Sequence, residues 1–123
     1  MKITLETLAN CFQSIIKLSN FDLGDPKTNF RFMGVIDTIE TQAKKYNKLR
    51  RDILEKYGNN DGSDYYAILP EKQDVCNKEL NDLGAVEIDL DWDIIDRPIK
   101  SLKGFTAIDM KCLNGTFINI KGD

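Results

Sequence analysis

The longest regular alternation of apolar and polar positions lies between Asp25 and Gly58. Ile36, Ile39, Ala43, Tyr46, Ile53 and Tyr57 recur at three- and four-residue steps, with Arg50 in the one remaining slot. That spacing sets them along one line of a helix. Phe32, Met33, Val35, Leu49 and Leu54 widen the line into a stripe broader than a two-stranded coiled-coil seam, so packing inside a helical domain is expected. The ends agree with a helix over 26–57. Asp25 can accept from unpaired first-turn N–H groups, Pro26 suits the first helical position, and Gly58 stands where a glycine free to take positive φ ends a helix. Gly34 is the weak link, costing about 1 kcal/mol relative to alanine. The outward face mixes Lys44, Lys45, Lys48, Arg51 and Lys56 with Asp37, Glu40, Asp52 and Glu55. It reads as a solvated face or as a basic patch, with Asp52 and Lys56 as an i, i+4 pair.

Shorter patterns flank this helix. Leu5, Leu8, Ala9, Phe12, Ile15 and Ile16 line one face of a helix over 4–18, with Thr4 as its cap and Met1 to Ile3 as an extended lead-in. Phe21 to Gly24 is a short connection that lets the first helix fold back on the long one. Tyr65 to Ile68 reads as a strand over 65–68. A helix over 70–83 follows, opened by Pro70-Glu71, with Val75, Cys76, Leu80 and Leu83 inward and Gly84 as its stop. Val86, Ile88 and Leu90 alternate with Glu87, Asp89 and Asp91, the clearest strand signal, over 85–90. From Trp92 to Phe105 an apolar, proline-interrupted stretch reads as an irregular arm. Thr106 with Asp109 three residues on opens a short helix over 106–113. A strand over 116–120 then pairs with either 85–90 or 65–68. Together these elements predict one α+β domain over 1–123, predominantly helical, with a long central helix packed antiparallel against shorter ones and a small sheet of two or three short strands.

Composition narrows the chemistry. The chain has 123 residues, a net charge of −3 and no histidine. Without histidine there is no Ser-His-Asp triad, no Cys-His nucleophile and no histidine-ligated metal. A net negative charge argues against nucleic-acid binding, and apolar runs of only a few residues argue against a membrane span and a secretion signal. Cys11, Cys76 and Cys112 are odd in number, far apart and without a CxxC pair; they read as reduced, buried small hydrophobes of a cytosolic chain. The Asn59 to Asp64 stretch has the vocabulary of a calcium loop, but Tyr57 stands at the first ligand position and Ile68 at the last, so calcium is not expected. No cofactor, metal or catalytic residue is assigned.

Five acids fall between Glu87 and Asp96 with no base among them, the strongest charge bias in the chain. They read as a solvated face, as an edge strand guarded by charge, as a docking surface for a basic partner, or as a divalent-metal or carboxylate-catalysis group. Trp92, flanked by acids, either closes the core or anchors an interface. Glu87, Asp89, Asp91, Trp92 and Asp93 are the candidate partner-binding residues.

The run from Phe30 to Gly58, ending Leu54-Glu55-Lys56-Tyr57-Gly58, leads through a polar loop and a short strand to Asn77-Lys78-Glu79-Leu80-Asn81-Asp82-Leu83 and Val86-Glu87-Ile88-Asp89. This order resembles a family of small proteins of unknown function encoded by phages and prophages, mainly of Gram-positive bacteria. The resemblance covers roughly residues 1–115, fits Gly104 to Gly115 more loosely, and leaves Phe117 to Asp123 beyond it. It brings no catalytic or ligand residues. It implies a phage accessory protein acting in the host cytoplasm or in a virion. Small size, the lack of a catalytic constellation and the split charge distribution add the expectation of a non-enzymatic protein that binds a host or phage protein in the manner of an anti-defence inhibitor. The alternative it leaves is a connector, tail or chaperone subunit that self-associates into a homo-oligomer.

Overall fold

The computed structural model describes residues 1–60 and 66–122. Most of the stretch weighed as a calcium loop, and Tyr65 at the start of the expected strand, lie outside the described residues. The architecture is α+β and predominantly helical. β1 (Lys2–Thr4) leads into α1 (Leu5–Leu18), and α2 runs from Pro26 to Tyr57. β2 (Gly58–Asn60) and β3 (Tyr66–Ile68) form a hairpin-like pair. A 3-10 turn, Pro70–Lys72, opens α3 (Gln73–Gly84), and β4 (Glu87–Asp89) follows. β5 (Ile95–Pro98), a second 3-10 turn at Ile99–Ser101, α4 (Ala107–Leu113) and β6 (Ile118–Lys121) complete the order.

Local chemistry fixes the helix ends. The Asp25 carboxylate accepts from the Thr28 amide at 2.7 Å, and the Thr4 hydroxyl from the Thr7 amide at 3.2 Å. Thr106 and Asp109 form a reciprocal capping box at the start of α4. Gly58 is needed for a different reason from the one its position implied. Its φ is −133°, extended, and the chain passes straight into β2. A Cβ there would lie 2.6 Å from Ile68 Cδ1 and 2.9 Å from the Ala67 carbonyl, so the close approach of β3 demands glycine.

α1 folds back antiparallel along α2. Asn20 and Phe21 share a groove with Phe32 and Ile36, Phe12 and Gln13 with Glu40 and Ala43, and Glu6 with Arg50. α3 returns beside the distal half of α2, where Lys56 Nζ reaches Glu79 Oε1 at 3.2 Å. Lys56 thus pairs across helices, and Asp52 pairs instead with Lys48 at 3.5 Å. The core gathers Leu8, Ile15 and Leu18 of α1 with Phe32, Val35, Ile36 and Ile39 of α2, closed by Leu90, Trp92, Leu113, Phe117 and Ile118. Of the widened stripe on α2, Phe32 and Val35 are buried, but Met33 is 62% and Leu49 47% exposed. Val75, expected inside α3, is exposed as well. Among the described residues α3, the start of α1 and the β2–β3 pair cover the distal half of α2, and its outer flank stays wet.

The strands pair differently from expectation. Among the described residues the short strands form three two-stranded sheets. β4 takes β1 as its antiparallel partner, with Lys2 opposite Asp89 and Thr4 opposite Glu87. β6 pairs with neither candidate; it runs parallel to β5, Ile95 opposite Ile118 and Arg97 opposite Ile120. The supposed irregular arm therefore contains a strand. Pro98 hid it, yet that proline occupies the last strand position, where a missing donor costs little. β5, α4 and β6 make a small parallel crossover unit.

The cysteines also differ. Cys11 of α1 and Cys112 of α4 form a disulfide with Cα atoms 5.6 Å apart, while Cys76 is free and buried. The fold brings together two helices far apart in sequence, a proximity that spacing alone does not reveal.

Candidate functional site

The acidic residues fall into two groups. Glu87 and Asp89 sit on β4 with Ile88 half-buried between them, so their carboxylates face solvent. Among the described residues neither makes an ion pair; Lys2 stands opposite Asp89 across the ladder. After β4 the chain turns, the Trp92 amide donating to the Leu90 carbonyl at 2.8 Å. Asp91 and Asp93 project from this turn, their side chains about nine-tenths exposed, and converge on Arg31 of α2. The guanidinium donates to the Asp91 carboxylate at 2.9 Å and to its carbonyl at 3.2 Å, and reaches Asp93 at 3.5 Å. Asp96 accepts from the Asn119 side-chain Nδ2 at 3.3 Å. The exposed negative face is therefore Glu87 and Asp89, flanked by a clamp of two carboxylates on one arginine.

Trp92 does not belong to that face. It is 3% exposed, its ring meets Phe32 at 4.9 Å and 65°, and its indole N–H donates to the Phe117 carbonyl at 2.9 Å. A side chain held so is unavailable as a surface anchor, and the core-closing alternative is the one that applies. The period-two alternation of β4 carries on through the turn, so Leu90 and Trp92 follow Ile88 inward and Asp91 and Asp93 stay outside with Glu87 and Asp89.

A second feature escaped the sequence reading. The connection between α1 and α2 and the first turns of α2 enclose an open groove of about 820 Å³. Its apolar lining includes Phe21, Leu23, Phe30, Met33 and Ile36, and its charged lining is Asp22 and Asp37. Phe30 is 75% exposed. The groove wall is rigidly built. Asp22 accepts from the Gly24 amide at 3.0 Å and the Asn29 side chain at 3.1 Å, while Asn29 accepts from the Leu23 amide at 2.8 Å. These bonds hold the Asp22 carboxyl below its ordinary pKa. Gly24 supplies the φ of 126° that the corner requires. Phe30 and Met33 lie one turn apart, which was the available signal; a broad stripe absorbed Met33, and Phe30 was left without a role.

A third cluster joins α1 to α4. Asp109 is buried and accepts from the Ser14 hydroxyl at 2.6 Å, from Lys17 at 2.7 Å and from the Thr106 amide at 2.9 Å. The lysine first, then the serine and the amide, hold its carboxyl far below the usual carboxylate range. Ser14 follows Cys11 by three residues and Asp109 precedes Cys112 by three, so ion pair and disulfide repeat on the same two faces. Asp109→Asn is expected to cost about 1–2 kcal/mol in urea unfolding at pH 7. An unfolded aspartate titrates near about 3.9. The native carboxylate therefore stabilises the fold fully above that value, and the contribution fades as pH drops below it. The gap between wild type and Asp109→Asn should narrow from pH 5 to pH 3.

Among the described residues no group of three or more histidines, cysteines or acids is placed to hold a metal ion, and no helix is long and apolar enough to cross a membrane. Comparison with protein-family models, with curated proteins and with solved structures finds no match to this chain.

Proposed function

We propose that this protein is a non-enzymatic binding protein, a phage accessory factor that occupies and modulates a host or phage protein complex. The observation that carries the reading is the exposed pair Glu87 and Asp89, carboxylates without ion partners among the described residues on a short strand ahead of the Arg31 clamp. Uncompensated surface charge of one sign steers an oppositely charged partner and fixes its orientation. The phage assignment rests on the order of segments described from the sequence. In the Glu87→Lys/Asp89→Lys variant, capture of the partner by tagged protein should fall by about tenfold or more. Thermal unfolding should stay within a few degrees of wild type. Undiminished capture would reduce the row to a solvated surface.

A second reading, a virion or assembly component, draws support from the Cys11–Cys112 disulfide. Such bonds persist on particles and outside cells and are uncommon in a reducing cytosol. Mass spectrometry of purified particles separates the two readings: many copies per particle identify a component, and absence favours the free inhibitor.

A further inference from the structure

One flank of α2 is exposed along its length, touched among the described residues only near its ends and edge, where Glu55 accepts from the Tyr66 hydroxyl at 3.0 Å and Lys44 borders α1, and its residues repeat in a telling order. Pro26, Phe30, Met33, Asp37, Lys44, Lys48, Arg51 and Glu55 follow one another at three-, four- and seven-residue steps, hence along one line of the helix. All of them are exposed. The line is apolar, then acidic, in its first half and basic from Lys44 to Arg51 before it ends on Glu55. The first half is also the wall of the groove that Phe21 and Leu23 complete.

We propose that this flank is a homodimer interface, in which α2 of a second copy lies antiparallel across it about a twofold axis passing between Glu40 and Thr41. About that axis Asp37 faces Lys44 of the second copy, Met33 faces its Lys48, and Phe30 faces its Arg51. Each juxtaposition is favourable in kind. Asp37 and Lys44 have no ion partner among the described residues, so the pairing displaces none. The stem of Lys48 covers the Met33 thioether while its ammonium stays wet, and the Arg51 guanidinium lies over the exposed Phe30 ring. Because the contact is isologous, every pair occurs twice.

Beside the axis, the Thr41 hydroxyl already donates to the Asp37 carbonyl at 3.0 Å, so covering it strands no polar donor. The contact from Phe30 to Arg51 spans about 32 Å of helix, long enough for two apolar ends and a charged middle. The acidic pair Glu87 and Asp89 is not on this line. Arg31, which clamps the neighbouring Asp91, leaves α2 a quarter-turn away from Phe30 on the opposite side of the line from the groove. The dimer therefore leaves that face open and does not depend on the proposed partner binding.

Sedimentation equilibrium of the intact, oxidised chain tests the interface. Wild type should dimerise with a dissociation constant in the range of about 1–100 μM and weaken as salt rises. Asp37→Lys alone and Lys44→Glu alone each set like charges opposite one another twice, and each should loosen the dimer by about tenfold or more. The double variant Asp37→Lys/Lys44→Glu restores opposite charges and should return within about threefold of wild type. Circular dichroism melts serve as the folding control, since neither residue touches the core. A wild type that stays monomeric at about 1 mM overturns the proposal, as does a double variant no tighter than the singles. A monomer that instead binds a basic amphipathic peptide in the Phe30–Met33 groove assigns that groove to another protein and overturns it too.

Discussion

Trp92→Ala is expected to lower the unfolding free energy by about 3–5 kcal/mol, the range for losing a large buried aromatic. The ring fills the space between Phe32 of α2 and the chain at Phe117, and its N–H satisfies the Phe117 carbonyl. Removing it opens a cavity and leaves the Phe117 carbonyl only the longer bond from the Ile95 amide, at 3.5 Å, and both costs fall on the seam where the crossover unit meets the helical hairpin. Trp92→Phe keeps much of the volume but not the donor, so about 1–3 kcal/mol is expected. Urea midpoints read both. A cost below about 1 kcal/mol for the alanine variant would mean that the ring does not close the core.

Breaking the bond between Cys11 and Cys112 should rank next. The two residues are 101 apart in sequence, so the cross-link removes a large share of the freedom of the unfolded chain. For a loop of that size chain entropy alone gives about 4.7 kcal/mol, and measured effects usually run about 2–4. The Cys11→Ser/Cys112→Ser variant is expected to lose about 2–4 kcal/mol and to keep its helical content, because Asp109, Ser14 and Lys17 still tie α4 to α1. Thiol titration under denaturing conditions supplies the count: one reactive thiol, Cys76, in the oxidised chain, and three after reduction. Three thiols without reductant would remove the bond from the account.

The contrast between what periodicity revealed and what it hid has a physical basis. α1, α2 and α3 were legible because each buries one face over several turns, and a repeating demand leaves a repeating pattern. The caps at Thr4, Asp25 and Thr106 were legible because they act within three residues. Long-range facts were not. That β6 lies beside β5, that β4 lies beside β1, and that Cys11 meets Cys112 depend on which faces meet after folding, and no local spacing encodes them. Asp109 shows both sides. Its capping role was visible beside Thr106, but its bonds to Ser14 and Lys17 cross more than ninety residues. Of the candidate site, Glu87 and Asp89 emerged on a solvent face as their alternation required. Trp92 turned inward in step with Ile88 and Leu90, so the period-two alternation runs on past the last strand residue and through the turn. The Phe30–Met33 groove was concealed by the breadth of the apolar stripe on α2, whose inner members form the core while its edge is open to solvent.

The covalent tie between α1 and α4 also decides how the molecule carries tension. A pull applied to its two termini passes from the first helix through a pair of sulfur atoms into the last one, and bypasses everything between them. Between Met1 and Asp123 about 20 residues lie outside the clasp and can pay out, roughly 70 Å of contour, against more than about 400 Å for the same stretch without it. The long helix, the apolar groove and the acidic strand all lie within the shielded segment. Strung between two anchors, the oxidised protein would yield a short tether and strip β1 from β4, while the long helix and the apolar groove kept their shape.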